Sequence, residues 1–262
     1  MHNPLPQIGG SLTPGFYGKE LIFLVRGGIL NAYDNLPYRK VVLFMYTIRE
    51  LYDLNHTIAA QYLEQFAYPW EALKGIKDLI VTLGASLGDE YTEVSPQVWV
   101  HKTAMVFPSA YLGAPCIIGA HTEVRHCAFI RGSALVGDNC VVGNSVELKN
   151  VILFDNVQVP HYNYVGDSIM GYKAHMGAGC ITSNVKSDKS LVVIHSDPEI
   201  PTGIKKVGAF LGDCAEIGCN SVLNPGVIIG RNSTVYPLSG VRGIVPENSI
   251  YKADRVIVKK EA

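Results

Sequence analysis

From Val94 to Leu148 an aliphatic residue returns at every sixth position: Val94, Val100, Val106, Leu112, Ile118, Val124, Ile130, Val136, Val142 and Leu148. Four residues after each of the first nine stands a small or moderate side chain, from Val98, Ala104 and Ala110 to Ala134, Cys140 and Val146, and Gly often follows the aliphatic residue directly. A helix repeats at three and four, an ordinary strand at two. A period of six is the signature of a parallel β-helix, in which short strands joined by tight turns wind into a prism and each coil covers the apolar interior of the one below. A second array, Leu211, Ile217, Leu223, Ile229, Val235 and Val241, keeps the same phase. Between the two, Leu153, Val159, Val165, Met170 and Met176 carry it through with two one-residue deletions. Three hexads per triangular coil give roughly seven coils, and at about 4.8 Å per stacked strand a prism roughly 33 Å tall.

Outside the arrays the period changes. Met1 to about Pro14 is rich in Pro and Gly and reads as an irregular arm. Apolar residues at helical spacing over Arg39–Leu54, Thr57–Phe66 and Trp70–Leu83 predict an α-helical cap over the open end of the prism, with Glu71 favourably placed in a first turn after Pro69. The runs Leu21–Val25 and Val41–Met45 fit buried helix and strand alike. The expected division is a helical cap over 1–90, a β-helix over 91–250 with a loop at 183–206 thrown out of it, and a tail over 251–262. That loop carries Lys186, Lys189, Lys205 and Lys206, which suits an anionic ligand on a binding face.

The chain has 262 residues, 48% hydrophobic and 17% charged, with a formal net charge of −1, an ordinary globular composition. Without a basic face or aromatics interleaved with Arg and Lys, nucleic acid is not expected as a partner. No stretch reaches the roughly 18–20 apolar residues of a membrane span, and no charged leader with an apolar run opens the chain; a cytoplasmic protein is expected. Of six cysteines, Cys116, Cys140 and Cys180 fall on small-residue positions of hexads and none forms a C-x-x-C pair, so reduced packing thiols are expected rather than a disulfide or zinc framework.

Because residues one coil apart stack, the repeat serves as a ruler. It places Arg131 under Lys149, Asn144 under His161 and Glu147 under Tyr164, with Asn184 one coil above. The groups precede or follow inward aliphatic residues and therefore point outward, into a surface groove. Arg131 and Lys149 suit a phosphate, His161 a general base, and Tyr164 or backbone amides a developing oxyanion. Together they fit a phosphorylated sugar amine.

The strings GNSVELKN (143–150), VPHYNYVGDS (159–168) and GAGCITSN (177–184) resemble, in that order, the acetyltransferase domain of the bifunctional bacterial UDP-N-acetylglucosamine pyrophosphorylase. The similarity covers about Arg131 to Val245, and H-x-x-Y-x-G-D from His161 is its most specific part. The resemblance implies a left-handed parallel β-helix, a homotrimer with sites shared between subunits, and transfer of an acetyl group from acetyl-CoA to the amine of an amino sugar phosphate or nucleotide sugar, without a metal. By it His161 is the base, with Glu147 in support. Arg131, Lys149, Tyr164, Asn184 and the loop residue Lys189 hold the sugar phosphate, and His175 stands where the family has an Asn that meets the sugar. Ala178, Asp213 and Leu238 lie where the pantetheine arm runs, and Lys252 and Arg255 are candidates for the CoA phosphates. The nucleotidyltransferase half of that enzyme has no counterpart here, which keeps a non-catalytic sugar-nucleotide binder open. A metal hydratase on the same fold, with His121, His126 and His161 as ligands, is the third expectation.

Overall fold

A computed structural model of the chain describes residues 14–17, 20–24, 40–43, 46–196, 198–252 and 256–260. They divide into two compact units, Met1–Met45 with Ser196–Pro198, and Tyr46–His195 with Glu199–Ala262. Within the first, Pro14–Tyr17, Glu20–Leu24 and Lys40–Leu43 form a three-stranded antiparallel sheet in that order. The ambiguous apolar runs near Leu21 and Val41 are therefore strands. Among the described residues the helical spacing over Arg39–Leu54 gives an α-helix at Ile48–Leu51, where Thr47 and Glu50 close a reciprocal capping box that starts it.

The second unit is built on a parallel β-solenoid. Along most of the solenoid a residue pairs with one eighteen positions on, as Cys116 with Ala134, or seventeen where a hexad has lost a residue, as Leu148 with Val165; across the insertion the offset is 41, as Ile169 with Phe210. Three strand stacks form the faces. One runs from Val98–His101 and Cys116–Ile118 through Ala134–Val136 to Ile244–Val245; the second from Met105–Val106 through Val141–Asn144 and Gln158–His161 to Ser249–Tyr251; the third from Tyr111–Leu112 through Phe129–Ile130 to Gly240–Val241. The hexad residues Ile118, Val124, Ile130, Val136, Val142 and Leu148 are fully buried inside. Most corners turn through a left-handed residue placed just before the small one: Cys127, Ser133, Asn139 and Ser145 have φ of 51° to 60° and precede Ala128, Ala134, Cys140 and Val146. Asn and Asp recur at such corners (Asn139, Asn150, Asn156, Asp167) because they tolerate this conformation. Cys116, Cys140 and Cys180 are buried free thiols, and burial pushes the first two up to about 12.

The helices do not sit over the open end of the prism. They lie along its first face, where Ile76–Ser86 packs on the strands Cys116–Ile118, Ala134–Val136 and Glu147–Leu153. The reason is written in that face: its outward middle residues, Ile117, Leu135, Ile152, Ile169, Phe210 and Ile228, are all apolar and at most 1% exposed. Tyr52 packs on Phe154 with ring centroids 5.1 Å apart, and Trp70 on Phe210 at 6.3 Å. The ends of the solenoid are instead covered by antiparallel strands, Tyr91–Ser95 on Val98–His101 and Ile257–Lys259 on Ser249–Tyr251, which pair edges otherwise left open. Among the described residues no helix is long and apolar enough to cross a membrane.

The insertion after Asn184 is tied to the prism. Val193–Ile194 pairs with Ile200–Pro201 in an antiparallel ribbon, Val192 and Ile194 are fully buried, and the Thr202 hydroxyl donates to the Val192 carbonyl.

Candidate functional site

The predicted stacking is the register of the structure. Ile130 pairs with Leu148, which sets Arg131 beneath Lys149; Asn144 pairs with His161, and Glu147 with Tyr164. On the third face the column therefore reads Phe129, Glu147, Tyr164, Ile181, with Arg131 and Lys149 beside it. His161 stands at the corner between the second and third faces.

Two glycines let this corner form. A Cβ on Gly143 would lie 1.5 Å from the Pro160 carbonyl oxygen, so only Gly allows the coil bearing His161 to rest on the one below. A Cβ on Gly166 would lie 2.5 Å from the Tyr164 hydroxyl and 3.0 Å from Asn184 Nδ2, so its absence leaves room for those two groups to meet. Asn163, 2% exposed, braces the corner: its Oδ1 accepts the His161 N–H at 3.2 Å, and its Nδ2 donates to the Gly177 carbonyl at 2.8 Å.

Both cations are paired with carboxylates. Arg131 Nη1 lies 2.8 Å from Glu147 Oε1, a bond that raises the Arg131 pKa. Lys149 Nζ lies 2.8 Å from Asp167 Oδ1. Asn184 Nδ2 donates to Asp167 Oδ2 at 2.5 Å and to the Tyr164 hydroxyl at 3.1 Å. Burial, opposed by this last bond, holds the Tyr164 phenol above its ordinary value and so in its protonated form. Asp167 closes the H-x-x-Y-x-G-D string yet is not among the expected site residues; its backbone, at φ 49°, occupies one of the left-handed corners.

Glu147 does not support His161 in the way expected. Its carboxylate holds Arg131, and the His161 imidazole, exposed to solvent, has no hydrogen bond or ion pair among the described residues. Lys189 sits in an exposed left-handed turn, where its N–H donates to the Lys186 carbonyl. The loop returns to the site elsewhere: the Val207 N–H donates to the Asn184 carbonyl at 3.0 Å and the Gly208 N–H to the Asp167 carbonyl at 2.8 Å. That brings the exposed Lys205 and Lys206 to the rim. Because the hexad phase is lost across the loop, the ruler cannot count through it, and it does not single out these two lysines as site residues.

His175 lies on the second face, one coil above Gln158, with Nδ1 2.8 Å from Glu216 Oε2. Ala178 is half-buried, and its carbonyl accepts the Asn220 N–H. Leu238 occupies an exposed left-handed corner. Asp213, expected beside the pantetheine arm, is instead buried between the prism and residues 46–56. Its oxygens accept the Asp53 N–H at 2.7 Å and the Tyr172 N–H at 2.9 Å, with Arg231 Nη2 at 3.4 Å, and burial raises its pKa. It anchors the helical layer, and its polar atoms face that layer instead of a groove. Lys252 is half-buried and Arg255 lies outside the described residues.

The three histidines of the hydratase reading are not gathered. His126 packs tilted against Phe107 with ring centroids 4.3 Å apart and shares a column with Asn144 and His161, two coils below the latter, whereas His121 turns the corner at the opposite edge of the second face. Among the described residues no three His, Cys, Asp or Glu side chains converge as metal ligands.

Residues 114–197 match the model of the GMPPB C-terminal domain. Bifunctional protein GlmU of Methanococcus maripaludis is 29% identical over 204 residues, 76% of this chain and 50% of that protein. The bifunctional sugar-1-phosphate nucleotidylyltransferase/acetyltransferase of Sulfurisphaera tokodaii is 25% identical over 189 residues, 70% of this chain and 47% of that protein. The chain thus spans about half the length of these curated relatives. Among solved structures, a mutant of perosamine N-acetyltransferase from Caulobacter crescentus, in complex with CoA and GDP-perosamine, matches with a TM-score of 0.31 at 18% identity, over 61% of this chain and 55% of that one, too distant a likeness to carry an argument. The repeat and its register make this chain a hexapeptide-repeat protein, and its sequence is similar to that of GlmU.

Proposed function

We propose that the protein is a CoA-dependent N-acetyltransferase acting on the amine of an amino sugar phosphate or nucleotide sugar, as a left-handed homotrimer in the cytoplasm. The observation that carries the reading is the gathering of Arg131, Glu147, Lys149, Tyr164 and Asn184 on successive coils beside the exposed imidazole of His161. The two curated relatives, both named as bifunctional proteins, support it.

In this reading His161 removes a proton from the sugar amine as the nitrogen attacks the thioester carbonyl of acetyl-CoA. The carbonyl π electrons move onto oxygen, where the protonated Tyr164 hydroxyl or a backbone N–H stabilises them. Collapse breaks the C–S bond, and the imidazolium returns its proton to the departing CoA thiolate, leaving the amide and free CoA. Arg131 holds the phosphate and Lys149 the sugar oxygens, through the N–H groups their carboxylate partners leave unused. Lys206 and Lys205 at the rim add the positive charge that those pairs cancel, the role that the resemblance gives to Lys189. Ala178 and the exposed Leu238 line the path of the pantetheine arm, and His175, held by Glu216, meets the acceptor of a neighbouring subunit.

The test is an acetyl-transfer assay with acetyl-CoA against glucosamine 1-phosphate and a set of nucleotide-linked amino sugars, reading thiol release and the acetylated product. Turnover of one acceptor class is expected; acetyl-CoA left intact by every acceptor contradicts the reading. A binder is the second reading, favoured by an imidazole that bonds to none of the described residues. It predicts that nucleotide sugars raise the melting temperature while acetyl-CoA does not.

A further inference from the structure

Asp167 is 3% exposed and its carboxylate's hydrogen bonds are made within the chain. Oδ1 accepts from Lys149 Nζ at 2.8 Å and from Asn150 Nδ2 at 2.9 Å, and Oδ2 accepts from Asn184 Nδ2 at 2.5 Å. Asn150 also donates to the Leu73 carbonyl at 3.2 Å, which ties the group to the helical layer. Every side chain that reaches Asp167 is one that faces the site or braces one that does.

A carboxylate can only accept, and this decides the donors and acceptors around it. The Asn184 amide must turn its NH2 toward Asp167, and with the second N–H directed at the Tyr164 hydroxyl, both donors are in use. The amide oxygen is left free to accept. The Tyr164 oxygen accepts from Asn184, so its own O–H is left to donate. Lys149 keeps two of its three N–H groups, but its charge is matched by Asp167 at 2.8 Å. The groove therefore offers a hydroxyl donor, an ammonium of compensated charge and one amide oxygen. That set fits a sugar presenting oxygen acceptors to Lys149 and Tyr164 and an O–H or N–H donor to Asn184, and it grips a bare anion weakly.

We propose that Asp167 is a positioning residue that sets the hydrogen-bond polarity and the charge of the acceptor site: it fixes which way the Asn184 amide faces and holds the Lys149 charge in balance. The assignment of an acceptor rests on the acetyltransferase reading above. The charge balance does not.

The experiment uses the full-length protein and Asp167→Asn, a near-isosteric change that the left-handed φ of 49° tolerates. Inorganic phosphate binding is measured by calorimetry at fixed ionic strength. With Lys149 uncompensated, Asp167→Asn is expected to bind phosphate about tenfold more tightly than the natural protein, the weight of one hydrogen bond to a charged group. Adding Lys149→Met is expected to abolish the gain. No gain, or a gain that survives Lys149→Met, overturns the proposal, and neither outcome depends on turnover. Where acetyl transfer is observed, Asp167→Asn is expected to raise the KM for the acceptor about tenfold while leaving that for acetyl-CoA unchanged; an unchanged acceptor KM overturns the positioning role. Should Asp167→Asn fail to fold, Lys149→Met alone reads the same balance, with phosphate affinity expected to fall about tenfold and unchanged affinity contradicting the proposal.

Discussion

Truncating Phe210 tests the covered face of the prism. Its ring points outward from the coil, where a residue on a bare face would be exposed, yet it is 0% exposed because Trp70 and the helical layer lie over it. Phe210→Ala removes a fully buried ring that a rigid prism cannot collapse around, so the expected loss of unfolding free energy is about 3–5 kcal/mol. Trp70→Ala is expected to cost a similar amount, about 3–5 kcal/mol, since Trp70 is 4% exposed. The two rings are 6.3 Å apart at an interplanar angle of 55°, within the range where aromatic pairs add about 0.5–1.5 kcal/mol beyond area. The double variant is therefore expected to lose less than the sum of the single variants by about that amount, 0.5–1.5 kcal/mol. Urea-induced unfolding followed by far-ultraviolet circular dichroism measures all four proteins, with no dependence on the fluorescence of the removed Trp. A Phe210→Ala loss below about 1 kcal/mol, or strictly additive losses, refutes the claim that residues 46–90 cover this face.

Three further outcomes follow from the same geometry. In the folded protein Cys127 and Cys219, both exposed, are expected to react with a thiol reagent at neutral pH while Cys116 and Cys140, buried and pushed up to about 12, do not; mass mapping of labelled sites checks this, and rapid labelling of Cys116 or Cys140 contradicts it. Burial raises the folded-state pKa of Tyr52 well above 10.0, so the stability it supports is held below the unfolded-state pKa and lost as pH rises through the folded one. Tyr52→Phe is expected to move the alkaline midpoint of unfolding upward, and an unmoved midpoint contradicts the assignment. Gly166→Ala places a Cβ 2.5 Å from the Tyr164 hydroxyl, so acceptor turnover is expected to fall roughly tenfold or more by misplacement of that group; full turnover sinks the claim that Tyr164 and Asn184 must meet there.

Most of the prism is legible in the sequence because one period governs both burial and pairing. Once Val142 is known to face inward, the pairing of Asn144 with His161 follows by counting. Counting fails where the period stops. The hexad pattern alone puts the helical layer over the open end because it omits the outward residues, although Ile117, Leu135, Ile152, Ile169 and Phe210 form an apolar column that marks a covered face. The short run at Lys40–Leu43 fits either period, and only pairing decides that it is a strand. Within the site, the ruler gives neighbours but not bonds. Glu147 meets Arg131 instead of His161, and Asp213 meets Asp53 and Tyr172, because side-chain direction and the packing of a distant segment are not carried by a six-residue count. Asp167 is visible in its motif but not distinguishable there, because a left-handed corner residue has the same Asx character whether it only turns the chain or also holds Lys149 and Asn184.

The central claim is that His161 moves the proton of the acceptor amine, and turnover of His161→Ala measures it most directly. With the acceptor and acetyl-CoA saturating, kcat is expected to fall by about two to four orders of magnitude, with the melting temperature little changed because the imidazole bonds to no described residue. A His161→Ala protein that turns over as fast as the natural one contradicts the account.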